Sequence, residues 1–175
     1  MTIILFISVF SVRGFPPDVL HDVFEGVIPE DLLGIIRILA VKGCCTIDQY
    51  NDALKDLRYY SYEGRDKPCP VPTKSQITKL KGKAVSNWVH LRNWPLVVMK
   101  FEINGDDAAL NLGLLLHDIV ERLCASEFLP YEISRLNEKI VDYLDLRKIV
   151  RDDYPDLMRR PKPKHHFLRK EFFYF

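Results

Sequence analysis

The sequence predicts a mainly α protein, a helical bundle with one β-strand at its N-terminus. Of its 175 residues, 47% are hydrophobic and 28% charged, which is typical of a globular chain. Apolar side chains recur at helical spacing in five or six segments, whereas only residues 2–10 have the pattern of a strand. We therefore expect a single partial domain, with a flanking strand at 1–14, helices at 15–150 and a basic tail at 151–175.

The N-terminal ten residues, MTIILFISVF, are apolar enough to suggest a signal peptide. No Lys or Arg precedes them, no small-residue cleavage site follows, and they are too short to span a bilayer. Their β-branched residues favour a strand over a signal peptide, and we expect no membrane partner. An unpaired apolar strand is a liability in a complete domain, so we expect the chain to be part of something larger.

Caps and stop residues predict the first three helices. A Gly-Phe-Pro-Pro run at 14–17 precedes the first helix, which we expect to end near Gly26. The second helix begins at a proline, carries two acids in its first turn and stops at Gly43. Its apolar positions cover most of its circumference, so we expect this helix to be central. The predicted helices run from Asp18 to Phe24, from Pro29 to about Val41, and from Thr46 to about Arg58.

A basic, proline-containing stretch at 60–82 follows these helices and predicts an exposed loop. Residues 83–100 are apolar again, but Pro95 should kink or end any helix there. Two further helices are expected, from Asp106 to about Ala125 and from about Pro130 to Val150, on the basis of their helical apolar spacing.

Charge is divided into blocks, although the net charge is only +1. Residues 65–100 carry eight basic side chains against one acidic, residues 101–146 three against ten, and residues 147–175 nine against four. Such blocks either attract each other inside the fold or form separate patches, and we favour attraction. The four cysteines lack zinc-site spacing and are expected to be reduced thiols.

One candidate catalytic cluster lies in the first predicted helix. Asp18, His21 and Asp22 fall within one helical turn and can project to the same side. Carboxylates in such a cluster suit Mg²⁺, and an imidazole can orient a neighbouring ligand. The alternative is a capping aspartate bonded to a helical histidine.

A candidate nucleic-acid-binding strip lies near the C-terminus. It combines closely spaced cations with two histidines, which suit phosphate, sugar and base contacts. The alternative is a solvated basic linker; a zinc site would lack a third ligand. By contrast, Trp88, Trp94, His90 and His117 are expected in or near the core. The strip consists of Arg159, Arg160, Lys162, Lys164, His165 and His166.

Two stretches, FPPDVLHDVFEGVIPE at 15–30 and KPKHHFL at 162–168, resemble a pair of motifs in animal transposase-like proteins related to the CACTA (EnSpm) group. The resemblance implies a DDE-type transposase with an RNase H-like core that is interrupted by a helical insertion. In such enzymes three carboxylates hold two Mg²⁺ ions for phosphodiester strand transfer. Asp18 and His21 occupy the family's Asp-x-x-His element and Asp22 lies beside it, so Asp18 is either the second metal-binding carboxylate, and then the candidate metal ligand, or part of a companion motif.

The first and third acidic residues of that family would lie before and after this chain. We therefore expect a transposase-derived fragment that binds no Mg²⁺ stably and does not cleave DNA by itself, but retains DNA binding through its basic segments. A second hypothesis is a helical interaction module that assembles with itself or with a full-length relative through residues 2–10 and 172–175. A third is an active nuclease. Each is compatible with a nuclear or cytoplasmic protein.

Overall fold

The computed structural model describes residues 19–60, 63–125 and 129–165. Within these ranges the chain forms six helices and no strand, which confirms the mainly α prediction. The expected strand at 1–14 lies outside the described residues, as do Asp18, His166 and residues 172–175. The helices are α1 (Val19–Val27), α2 (Ile28–Val41), α3 (Ile47–Lys55), α4 (Ala84–Val98), α5 (Ala108–Leu123) and α6 (Pro130–Asp153).

Helix α1 ends at Val27, one residue beyond the predicted end near Gly26, but Gly26 does not stop the helical path. α1 is π-helical and continues directly into α2, because Val27 at the junction keeps right-handed helical dihedrals. Gly26 also lacks the positive φ of a helix-stopping glycine. A glycine is needed here for a different reason, because a Cβ at this position would lie 2.7 Å from Cδ of Lys164. The glycine makes room for the C-terminal segment.

Helix α2 is the central element, as predicted. It packs against α1, α3, α4 and α5. Ile28, Leu32, Ile35 and Ile36 are completely buried, together with the first-turn carboxyl group of Asp31. A helix that is apolar on nearly every side needs neighbours on nearly every side, which explains its position.

Most of the predicted helix ends are confirmed. Gly43 ends α2 with φ of +79°. Thr46 and Gln49 form a capping box at α3, and Asp107 caps α5 by accepting from the amides of Ala109 and Leu110. Two ends differ by about one turn, since α3 stops at Lys55 and α6 continues to Asp153.

Helix α4 continues for three residues beyond Pro95. The proline falls in the last turn, where its missing N–H removes one hydrogen bond to the carbonyl four residues earlier. Its neighbours Trp94, Val97 and Val98 are buried, and their packing favours the helical conformation. The burial of Trp94 and His90 confirms their predicted place in the core.

The contact between α4 and α5 depends on a glycine. The indole of Trp94 lies directly over Gly113, where an added Cβ would fall 2.3 Å from the ring. Such a distance is well inside van der Waals contact, and the enclosed ring cannot move aside without opening the core.

We predict that Gly113→Ala lowers the free energy of unfolding by about 1–3 kcal/mol, because the methyl group overpacks this contact. Urea denaturation followed by circular dichroism measures the decrease. The matched control is Gly105→Ala, since nothing lies within 4 Å of a Cβ at that position. Equal stability of the two variants would contradict the packing argument.

A buried histidine joins α3 to α4. The hydroxyl of Tyr50 and Nε2 of His90 lie 3.0 Å apart, and both side chains are buried. Burial lowers the pKa of His90 to about 3, because desolvation disfavours the charged imidazolium. The histidine is therefore neutral at physiological pH.

This pKa predicts an acid-sensitive fold. The unfolded chain binds a proton at His90 near pH 6.5, whereas the folded chain resists it until about pH 3. The stabilisation is complete above pH 6.5 and decreases as the pH falls through this window. In His90→Phe, the free energy of unfolding should change less between pH 6.5 and 4 than it does in the parent chain. Parallel pH profiles of the variant and the parent chain would refute this role.

Among the helices within the described ranges, none is both long enough and apolar enough to cross a membrane.

Candidate functional site

A buried ionic cluster lies between α2, α6 and the segment that follows α6. Asp31 in the first turn of α2 accepts two hydrogen bonds from Arg147 of α6, at 2.7 and 2.8 Å. Tyr143, one turn earlier on α6, donates its hydroxyl to the same carboxylate. Nε2 of His165 lies 3.2 Å from Oδ1 of Asp31. All four side chains are at most 1% exposed.

The protonation states of this buried cluster follow from its geometry. Burial by itself would raise the pKa of Asp31, but hydrogen bonds from His165 and Arg147 and the Arg147 charge outweigh burial and hold that pKa well below its usual range. Burial and the Asp31 charge raise the pKa of Tyr143 far above its usual value. The cluster therefore contains a carboxylate, a guanidinium and a protonated phenol.

The orientation of His165 is set by a second hydrogen bond. The backbone amide of Lys162 donates to Nδ1 of His165 at 3.1 Å. A nitrogen that accepts a hydrogen bond carries no proton, so the neutral ring has its proton on Nε2, facing Asp31. Asp31 is thus surrounded by three donors.

Two further side chains of the same segment contact the first motif. Lys162 forms an ion pair with the buried carboxylate of Glu30. Lys164 donates to the backbone carbonyl of His21 at 2.8 Å and lies 3.3 Å from the Asp22 carboxylate. The two stretches on which the transposase resemblance rests, about 130 residues apart in the chain, therefore pack against each other.

The structure separates the candidate nucleic-acid residues into groups. Arg159 and Arg160 are exposed and form no ion pair with any described residue. The side chains of Lys162 and Lys164 are 49% and 40% exposed, although each has an acidic partner. His165 is buried against Asp31. Only the arginines and the two half-exposed lysines are therefore accessible for phosphate contacts among the described members of this strip.

The predicted catalytic cluster is described only in part, because Asp18 is outside the described residues. His21 is exposed on α1, and Asp22 faces Lys164. Within the described ranges, no three His, Cys, Asp or Glu side chains converge to hold a metal ion. Of the described acids in the first motif, Asp22 and Glu30 face cations of this chain instead. Asp18 as a metal ligand of an incomplete site, and the expected lack of stable Mg²⁺ binding, stay predictions.

A second basic surface is the segment at 65–83, termed the basic loop. It has no regular helix or strand, yet it is attached to the bundle through its backbone. Arg37 of α2 donates to the carbonyls of Ile77 and Lys74 at 2.8 and 2.6 Å. The Asn51 side chain exchanges two hydrogen bonds with the backbone of Val71, at 3.1 and 2.7 Å. These contacts order the loop without using its charged side chains.

The cations of the basic loop face solvent. Six of them are exposed, and none forms an ion pair with a described residue. Attraction between oppositely charged blocks therefore does not neutralise this loop. In the described part of the chain, the ion pair between residues 65–100 and residues 101–146 is Arg92–Glu121, at 3.9 Å, and Arg92 lies on α4. The exposed cations are Arg65, Lys67, Lys74, Lys79, Lys81 and Lys83.

The two basic surfaces border one polar cleft of about 310 Å³. α2 forms its floor, the basic loop one wall, and the segment after α6 the other. Gly34 on the floor allows this arrangement, since a Cβ there would lie 3.0 Å from the Leu157 carbonyl. The polar lining consists of Glu30, Arg37, Ser75, Gln76, Thr78, Asp156 and Arg159.

No family model matches this chain, and neither the curated proteins nor the solved structures include one with significant similarity to it. The transposase resemblance therefore stays a hypothesis that rests on the two motifs.

The sequence did not point to Asp31, Tyr143 or Arg147 as one cluster. The two α6 residues are one turn apart on one helix face, and their aspartate partner lies more than 110 residues earlier in the chain. One sequence feature could have indicated the buried cluster: a tyrosine and an arginine stand at i and i+4 on an otherwise apolar face of the helix.

We predict that Arg147→Met lowers the free energy of unfolding by about 3–5 kcal/mol, because Asp31 is left buried without its cation. Denaturation in urea measures the change, and Lys148→Met on the exposed side of α6 is the matched control. The double variant Asp31→Leu/Arg147→Met should be destabilised by less than the sum of the single variants. A decrease no greater than that of Lys148→Met would rule out the buried pair as a determinant of stability.

Proposed function

We propose that this chain is the helical part of a transposase-derived protein and that it binds nucleic acid without cleaving it. One observation carries the proposal: Arg159, at the start of the C-terminal basic segment, lines the same cleft as Ser75, Gln76 and Thr78 of the basic loop, although the two segments are far apart in sequence. The exposed cations of these two segments suit contacts with a phosphate backbone.

The electrostatics of the basic loop support phosphate binding. Its cations have no acidic partner among the described residues, so a phosphate would not have to displace an internal ion pair. The loop is also ordered before binding, since Arg37 and Asn51 hold its backbone. A preformed surface loses less conformational entropy on association.

The contact between the two motifs supports the proposed origin. The His-containing motif at the C-terminal end packs on the Asp-containing motif, so that the pair acts as one structural unit. Asp22 pairs with Lys164, and Asp31 with Arg147, in an arrangement that favours a structural role for these acids. Binding rather than strand cleavage is the function that this geometry favours, and a nuclear or cytoplasmic location stays a prediction.

A salt titration tests the proposal. If several phosphates are bound, the logarithm of the binding constant for labelled DNA should fall linearly with the logarithm of salt concentration. Lys79→Gln/Lys81→Gln should bind more weakly and reduce the slope by about 0.7–0.9 for each phosphate that is no longer neutralised. Fluorescence anisotropy at several salt concentrations measures both quantities.

The matched control is Arg135→Gln/Lys148→Gln, which removes two exposed charges from α6 and should leave the slope unchanged. A flat salt response of the parent chain, or equal effects of the two double variants, would reject the proposed surface. Nicking of DNA that requires Mg²⁺ and disappears in Asp18→Asn would reject the proposal of binding without cleavage.

A further inference from the structure

The polar cleft contains more than cations. Carboxylates from Glu30 and Asp156 line it together with Arg159, Gln76 and Thr78. A surface that only attracts phosphate has no use for two carboxylates, since each repels the backbone of a nucleic acid. The mixture of donors and acceptors instead fits a group that offers both.

Glu30 has an unused acceptor. Its Oε2 accepts from Lys162, whereas its Oε1 is buried without a hydrogen-bond partner among the described residues. The residue as a whole is only 7% exposed. A buried carboxylate oxygen without a partner carries a desolvation cost that an incoming N–H donor would relieve.

We infer that the cleft receives one unpaired nucleobase with an exocyclic amino group, namely cytosine, adenine or guanine. This inference rests on the proposed function and assigns a preferred substrate, single-stranded nucleic acid. The amino group donates to Glu30, while Arg159 and the basic loop contact the flanking phosphates. Thymine and uracil present two carbonyl oxygens and one N–H on the equivalent edge, so the carboxylates in the cleft disfavour them.

The volume of the cleft and the position of the Lys162 side chain agree with this assignment. The cleft volume of about 310 Å³ is at the lower end of the range for small-ligand sites and suits a single base. The Lys162 side chain is half-exposed and can transfer from Glu30 to a phosphate, which frees the carboxylate as the strand binds. In a duplex the pairing edges of the bases are occupied, so a single strand is preferred.

The test compares two pyrimidine homopolymers of equal length, labelled oligo-dC and oligo-dT, by fluorescence anisotropy at one salt concentration. Oligo-dC should bind about tenfold more tightly, the value expected for one hydrogen bond to a charged group. Glu30→Met should abolish the preference, because the affinity for oligo-dC falls to that for oligo-dT. The melting temperature of each variant verifies that it is folded.

A second variant keeps the test decisive if Glu30→Met does not fold. Asp156 is exposed, so Asp156→Asn should leave the fold intact. It should lower the ratio of the oligo-dC affinity to the oligo-dT affinity at least twofold. Its matched control, Asp52→Asn on the exposed side of α3, should retain the full preference. An unchanged preference in Asp156→Asn overturns the inference.

The outcomes separate this inference from the proposed function. Equal, salt-dependent binding of the two homopolymers overturns the base site and leaves the phosphate surface intact. Tighter binding of duplex than of either single strand also overturns it. Failure of all three nucleic acids to bind overturns the proposed function, and the base site with it.

Discussion

The buried ion pair between Asp31 and Arg147 is the constraint on which the rest of the arrangement depends. A carboxylate in the interior is costly unless donors surround it, and Asp31 obtains them from α6 and from the segment beyond α6. The same interaction that satisfies its charge therefore determines where residues 155–165 lie. His165 beside Asp31 holds this segment at α2 together with the Lys162–Glu30 pair and the buried Met158.

The position of that segment creates the cleft. Gly34 allows the backbone near Leu157 to approach α2 closely, and Arg159 then faces the basic loop. On the other side, Arg37 holds the loop by its carbonyl groups. The basic loop is thus attached to α2 through its backbone, so its charged side chains remain available to solvent. The proposed phosphate-binding surface is thus built on the same helix that carries the buried ion pair.

The two basic segments differ in whether their cations form ion pairs within the protein. Charges in the C-terminal segment are partly used inside the protein, since Lys162 and Lys164 each have an acidic partner on α1 or α2. Charges in the basic loop have no such partner among the described residues. Composition by itself does not distinguish the two segments, because a count of lysines contains no information about which acids lie nearby. Their different neighbours make the loop the better candidate for phosphate binding.

Local chemistry in the sequence determined the helical class, the central position of α2 and several helix ends. Gly43, Thr46 and Asp107 act through residues at most five positions away, so their roles can be predicted from adjacent sequence. Only the tertiary structure decided the role of Gly26, the partners of Asp31 and the joining of two basic segments at one cleft. Each of these depends on residues that lie far apart in the chain, up to 143 positions for Lys164 and His21, and the sequence pattern contains no spacing that reveals such contacts.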